Sequence, residues 1–188
     1  MLLPLAAAAA FYAHGFGGFW LGDDLPNLHR TYSWAQAGTL WQDTARQFAT
    51  PITGGGSFIR PMVIASFSFD YTISGASYPG WYAFNFAVHL ANVALVAFIV
   101  LRLARMLGAG GAIAAALAAA FFGVAPLPAE GVYWLSARGD ACVTLCSLGA
   151  IALWTAAGSA RQRARRSFHV LEVSLSRNRR GAAGAVAE

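Results

Sequence analysis

Two adjacent carboxylates, Asp23 and Asp24, directly follow the first apolar stretch of the chain. Burial close to lipid raises the pKa of at least one carboxyl in such a pair, which suits it to act as a general base. A second interpretation is equally open, because Gly-Asp-Asp-Leu-Pro is also typical of a helix start with an aspartate as its cap. The pair therefore predicts either a catalytic base or a structural cap.

A second group of reactive side chains lies in the segment PLPAEGVYWLSARGD. Glu130, Trp134 and Arg138 are spaced i, i+4, i+8, with Asp140 beside them, so one helical face would present an acid, an aromatic ring and a cation. The planar donors of an arginine bind phosphate or carboxylate groups well. An equally open alternative is a structural pair of Arg138 with Glu130 or with Asp140 that closes a loop.

A polar stripe runs along an otherwise apolar stretch, where Asn85, His89 and Asn92 are spaced i, i+4, i+7. Such residues face protein or a cavity rather than lipid. Interhelical hydrogen bonding explains them more simply than contact with a substrate. No second histidine or cysteine has zinc-ligand spacing to His89, and nucleophile-elbow, P-loop, HExxH and CxxC motifs are absent from the sequence.

The composition of the chain is typical of a membrane protein, since 57% of the residues are hydrophobic, 11% are charged and the mean hydropathy is +0.52. A soluble domain carries about 25% charged residues. We therefore predict an all-α, polytopic helical membrane protein with about four transmembrane helices, over residues 2–20, 81–103, 109–125 and 140–158. The cysteines, Cys142 and Cys146, fall in the fourth apolar window and are predicted to be buried helix residues rather than a disulfide.

The arginines give the expected orientation. Arg102 and Arg105 lie between the second and third windows, and the cluster 161–166 follows the fourth, so both segments should be cytoplasmic. The first window could be a cleaved signal peptide, but it lacks a basic start and ends in aromatic residues, so we favour a retained helix. Both chain ends are then cytoplasmic. Residues 1–160 are expected to form the transmembrane region, and 161–188 a basic tail that is disordered or bound at the membrane surface. This tail is expected to serve as a topology signal and not to bind nucleic acid.

The loop of residues 22–80 would lie outside and is too long and too apolar for a plain linker. The 3–4 spacing of apolar residues over Thr31–Phe48 predicts an amphipathic helix on the bilayer surface. The sequence TPITGGGS then breaks it, and the short apolar segment Pro61–Ile73 is predicted to be a re-entrant or interfacial helix.

Taken together, these motifs resemble the N-terminal part of the GT-C polytopic membrane glycosyltransferases, the group that includes protein O-mannosyltransferases and their bacterial relatives. The last outer loop is similar to the family pattern His-Pro, then Glu, Val, Trp, Arg and Asp, and Ala125 stands in place of the histidine. The segment from Arg-Pro to the polar stripe is similar to a second family pattern. The matching residues are Pro126, Glu130, Val132, Trp134, Arg138 and Asp140 in the first case, and Arg60, Pro61, Asp70, Gly75, Asn85, His89 and Asn92 in the second.

The resemblance implies a transferase of the bacterial inner (plasma) membrane that moves a sugar from a polyprenyl-phosphate donor to an extracytoplasmic hydroxyl. Asp23 or Asp24 would be the base, and Arg138 or Arg60 would offset the charge of the departing phosphate. The resemblance gives the donor as the only cofactor-like molecule and leaves a divalent metal open. The substrate-binding residues would be Arg60, Asp70, Asn85, His89, Glu130, Trp134, Arg138 and Asp140.

Members of this family are much longer, so the resemblance also predicts a truncated form that lacks a C-terminal part or needs a partner subunit. The competing hypothesis is a noncatalytic four-span membrane protein. In that case the polar stripe and the loop charges serve helix packing or subunit association.

Overall fold

The computed structural model describes residues 2–50 and 59–158, and the regular structure in these two ranges is helical. The predicted break TPITGGGS, apart from its first residue, and the basic tail lie outside the described residues. The helices are α1 (Leu2–Tyr12), α2 (Asp24–Gln36), α3 (Leu40–Arg46), α4 (Pro61–Ser74), α5 (Tyr78–Met106), α6 (Ala112–Val124), α7 (Ala129–Tyr133) and α8 (residues 138–158), with 3₁₀ turns at Ala13–Gly17 and Leu135–Ala137.

The longest helix, α5, has 29 residues and forms the centre of the structure. One side of it packs against α1 and α6 through small residues, among them Ala8, Val93 and Ala119, which are fully buried. Gly123 permits this close approach, because a Cβ at that position would lie 3.0 Å from the Cβ of Ala8. Small side chains at the contacts are typical of helices that pack within a bilayer.

The four apolar helices α1, α5, α6 and α8 alternate in direction along the chain. Asn92 of α5 donates to the carbonyl of Ala141, and Arg102, ten residues further along α5, donates to the carbonyl of Ala156, so α5 and α8 run in the same direction. The end of α1 meets the end of α6, where the Tyr12 hydroxyl donates to the carbonyl of Ala125. The helices α1 and α6 therefore run parallel to each other and antiparallel to α5.

Among the described residues, two segments are long and apolar enough to cross a bilayer, Tyr78–Met106 and Leu135–Gly158. The predicted first and third spans correspond to shorter apolar helices, Leu2–Gly17 and Ala112–Val124. A helix needs about 20 residues to span the hydrocarbon core. The structure thus supports two of the four predicted spans by helix length, and the other two remain a proposal.

The predicted single helix over Thr31–Phe48 is wrong, because α2 ends at Gln36 and α3 begins at Leu40. Gly38 causes the break, since its φ of +71° belongs to the left-handed region that glycine adopts readily. A helix does occupy the segment predicted around Pro61–Ile73: α4 begins at Pro61, where a proline costs no helical hydrogen bond.

A second core, rich in aromatic side chains, joins α2, α4 and α7 to the first turns of α5. Trp81 lies at its centre, fully buried, with its ring stacked on Phe67 at a centroid distance of 5.2 Å. Its indole N–H donates to the carbonyl of Gly75, which satisfies the buried polar group. This core supports the side chains described below.

Candidate functional site

A cavity of about 1120 Å³ lies between the start of α2, the helix α4 and the segment from α7 into α8. Its lining includes three acids, one arginine and one tryptophan that were predicted from the sequence as site residues, and these come from three separate parts of the chain. They are Asp23, Arg60, Glu130, Trp134 and Asp140. The apolar lining includes Met62, Phe69, Val143, Leu145 and Cys146. Five of the ten predicted site residues therefore meet at one cavity.

The two adjacent aspartates have different environments. Asp24 is 1% exposed, and its carboxylate accepts hydrogen bonds from the backbone N–H of Leu21 at 3.1 Å and from the N–H and hydroxyl of Ser136 at 2.8 and 2.7 Å. Asp23 is exposed and lines the cavity. Asp24 is thus a structural carboxylate, and Asp23 is the member of the pair that a ligand in the cavity can reach.

Ser136 was not identified from the sequence, although it links two sides of the site. Its hydroxyl donates to Asp24 and accepts a hydrogen bond from the Asn27 amide at 2.9 Å. The first loop is thereby joined to the segment before α8. No sequence pattern indicated this linking role of Ser136, because its hydrogen-bond partners lie more than 100 residues away in the chain.

Arg138 pairs with Asp70 and not with Glu130 or Asp140, the two partners expected from the sequence. Its Nη1 lies 2.6 Å from Asp70 Oδ2, and the two side chains are 0% and 5% exposed. The predicted pairing with Glu130 or Asp140 is therefore wrong. The guanidinium also donates to the Ser66 hydroxyl and to the Trp81 carbonyl, and it lies between the rings of Phe67 and Phe84, 4.4 and 4.6 Å from their centroids.

The predicted single helical face with Glu130, Trp134 and Arg138 is also wrong. The helix α7 ends at Tyr133, Trp134 is extended, and a 3₁₀ turn precedes α8. The backbone change turns Arg138 toward Asp70, whereas Glu130 and Trp134 remain at the cavity.

The polar stripe on α5 bonds to backbone carbonyls of neighbouring segments. The Asn85 amide donates to the Gly131 carbonyl at 3.1 Å, the Nε2 of His89 lies 3.0 Å from the Gly123 oxygen, and the Asn92 amide donates to the Ala141 carbonyl at 3.1 Å. All three side chains are buried. This is the arrangement that the packing interpretation requires, and it leaves the stripe outside the lining of the cavity.

Comparison with known proteins finds no matching protein-family model, no matching curated protein and no matching solved structure.

The pKa of the Asp70 carboxyl is raised to about 6. Burial is the largest cause, because removing the carboxylate from water disfavours its charged form, while the nearby Arg138 guanidinium opposes the shift. Asp70 is still mainly ionised at pH 7, so the ion pair persists at neutral pH.

The chemistry open to the cavity follows from these contacts. Asp24, Asp70 and Arg138 are buried and bonded to protein groups. Asp23, Arg60, Glu130 and Asp140 line the cavity and are exposed. Within residues 2–50 and 59–158, no group of three or more His, Cys, Asp or Glu side chains could hold a metal ion. The arrangement offers carboxylates for proton transfer and hydrogen bonding, one guanidinium for an anion and apolar walls for a hydrocarbon group.

Proposed function

We propose that the chain is a GT-C-like membrane transferase that moves a sugar from a polyprenyl-phosphate donor to an extracytoplasmic hydroxyl acceptor. The observation that carries this proposal is the single cavity shared by Asp23, Arg60, Glu130, Trp134 and Asp140. These residues come from three separate parts of the sequence, and each is a position at which the chain resembles that family. A polar end beside apolar walls also suits a lipid-linked substrate.

In the proposed reaction Asp23 is the general base. Its carboxylate takes the proton of the acceptor hydroxyl as the acceptor oxygen bonds to the anomeric carbon. The bond between that carbon and the phosphate oxygen breaks, and its electron pair leaves with the polyprenyl phosphate. Direct displacement inverts the anomeric configuration.

Arg60 is the cation that we assign to the departing phosphate. It lines the cavity and is exposed, whereas Arg138 is fully buried against Asp70. A guanidinium presents paired donors that match phosphate oxygens. Asp24 has a positioning role in this scheme, because its bonds to Ser136 hold the first loop against the segment that carries Glu130 and Trp134.

The same proposal places the chain in the bacterial inner membrane with four spans and with the cavity on the outer side. The alternating directions of α1, α5, α6 and α8 support four crossings. Arg102 and Arg105, near the C-terminal end of α5, favour a cytoplasmic position for the turn between α5 and α6. The shorter α1 and α6 need their uncharged flanking residues to complete each crossing.

The proposal is tested with the full chain purified into lipid nanodiscs. Transfer of labelled sugar from a mixed pool of polyprenyl-phosphate sugars is measured for the parent protein and for Asp23→Asn. We expect transfer by the parent, with inverted configuration in the product, and a loss of at least about 100-fold in Asp23→Asn, the usual scale for removing a general base.

The matched control is Asp43→Asn, which makes the same substitution on α3 at a carboxylate outside the lining of the cavity. This variant should retain parental transfer. If the parent is folded and transfers no sugar, or if Asp23→Asn transfers as well as Asp43→Asn, the proposal is wrong. The noncatalytic four-span protein is then the better account.

A further inference from the structure

The helix α4 exposes large apolar side chains and buries two polar ones, a serine and an aspartate. Its outward side carries Met62, Phe69 and Ile73, which are 72%, 51% and 69% exposed and are spaced i, i+7, i+11 on one face. Its buried residues include two polar ones, Ser68 and Asp70, which are 0% and 4% exposed, beside the apolar Ile64 and Phe67. Membrane proteins place ionisable residues toward protein and apolar residues toward lipid.

The serine and threonine hydroxyl groups of α4 are satisfied without water. Thr72, which is exposed on this helix, donates to the carbonyl of Ser68 at 2.8 Å. Ser74 donates to the carbonyl of Asp70 at 2.8 Å, and the Ser68 hydroxyl pairs with that of Thr44 at 2.6 Å. Hydrogen bonds of this kind are what a polar side chain needs where water is absent.

The outward face of α4 adjoins a second exposed apolar face, on α8. Val143, Leu153 and Trp154 of that helix are 66%, 74% and 77% exposed, although α8 is one of the two segments long enough to cross a bilayer. Met62 and Phe69 of α4 and Val143 of α8 line the same cavity as well. The exposed apolar surface is therefore continuous from the span α8 across the cavity to α4.

We propose that α4 is a re-entrant helix immersed in the bilayer, and that lipid hydrocarbon chains cover the face formed by Met62, Phe69 and Ile73. The cavity then opens sideways to lipid between α4 and α8, and its polar end, with Arg60 and Asp140 at the starts of these two helices, lies at the headgroup level. This inference concerns where the chain contacts lipid and does not require transferase activity.

The test uses spin labels on the full chain in nanodiscs. In a Cys142→Ser/Cys146→Ser background, labels are attached at Met62→Cys, Phe69→Cys and Ile73→Cys, and the native Cys146 is labelled alone in Cys142→Ser. Collision rates are measured with oxygen, which partitions into lipid, and with a water-soluble nickel chelate. The matched control is Arg46→Cys on α3, whose parent side chain is 62% exposed.

We expect the ratio of oxygen to nickel collisions to exceed one at positions 62, 69, 73 and 146 and to fall below one at position 46. Preferential nickel access at the α4 positions would mean that this face contacts water, and low access to both reagents would mean that a protein segment covers it. Either result overturns the proposal. Three separate α4 positions keep the test valid if one variant fails to fold, which its thermal unfolding would reveal.

Discussion

Asp70 Oδ2 lies 2.6 Å from Arg138 Nη1, so a charged pair joins α4 to the first turn of α8 out of contact with water. Removing one member of such a pair leaves the other charge buried without compensation. We expect Arg138→Gln to lower the free energy of unfolding by about 3–5 kcal/mol. The double variant Asp70→Asn/Arg138→Gln should cost less than the sum of the two single variants, because neither charge then remains.

Reversible denaturant unfolding in mixed micelles measures these differences. The matched control is the more exposed pair on α3, where Arg46 Nη1 lies 2.7 Å from Asp43 Oδ1 and the two side chains are 62% and 18% exposed. The corresponding variant Asp43→Asn/Arg46→Gln should change stability by no more than about 1 kcal/mol. Equal effects at the two pairs would contradict the buried role of Asp70 and Arg138.

The raised pKa of Asp70 determines whether the stability of the folded protein rises or falls with pH. An unfolded aspartate titrates near pH 4, whereas the folded carboxyl titrates at about 6, so the folded state binds this proton more tightly. The resulting stabilisation is present below about pH 4 and is lost as the pH rises through 6. The thermal midpoint should therefore rise as the pH is lowered from 7 to 5.

Infrared difference spectra provide the direct measurement, because a protonated carboxyl has its own carbonyl band. That band should disappear between about pH 5 and pH 7 and should be absent from Asp70→Asn. The pH dependence of the thermal midpoint should be correspondingly weaker in Asp70→Asn. A band that titrates near pH 4 would contradict this prediction.

Substitution of Asp24 should lower the stability of the protein more than substitution of Asp23. Asp24→Ala removes the acceptor of the hydrogen bonds from the backbone N–H groups of Leu21 and Ser136 and from the Ser136 hydroxyl, which should cost about 1–3 kcal/mol. Asp23→Ala changes an exposed residue and should stay within about 0.5 kcal/mol. Unfolding of the two variants under identical conditions measures the difference. In a double-mutant cycle, Asp24→Ala and Ser136→Ala together should lower the free energy of unfolding by less than the sum of the two single variants.

Gly123 should tolerate little added volume. A Cβ at this position would lie 3.0 Å from the Ala8 Cβ and 3.4 Å from Val93 Cγ2, so Gly123→Ala requires a small shift between α1 and α6. We expect a cost of about 1–3 kcal/mol for Gly123→Ala and a larger one for Gly123→Leu. Gly149 on α8 is the matched control, since nothing lies within 4 Å of a Cβ placed there. Comparable losses for Gly123→Leu and Gly149→Leu would refute the packing argument.

Hydropathy and charge were sufficient to predict the all-helical architecture, because uncharged windows and arginine positions can be identified without knowledge of any tertiary contact. Local spacing was sufficient for Asn85, His89 and Asn92, since they share one continuous helix. The same spacing failed for Glu130, Trp134 and Arg138, because the backbone leaves the helical path at Trp134. The Asp70 partner of Arg138 was beyond local reasoning, since several carboxylates were available and only the packing of α4 against α5 and α8 selects one.

The distance along the chain between Asp70 and Arg138 has a consequence for biosynthesis. Arg138 is made 68 residues after Asp70. At a synthesis rate of about 5–20 residues per second, the carboxylate emerges roughly 3–14 s before its partner. During that interval α4 holds an uncompensated acid, so it stays at the membrane surface or carries its acid protonated. The helix therefore takes its final place only when α8 arrives, so the cavity forms only after α8 has been made.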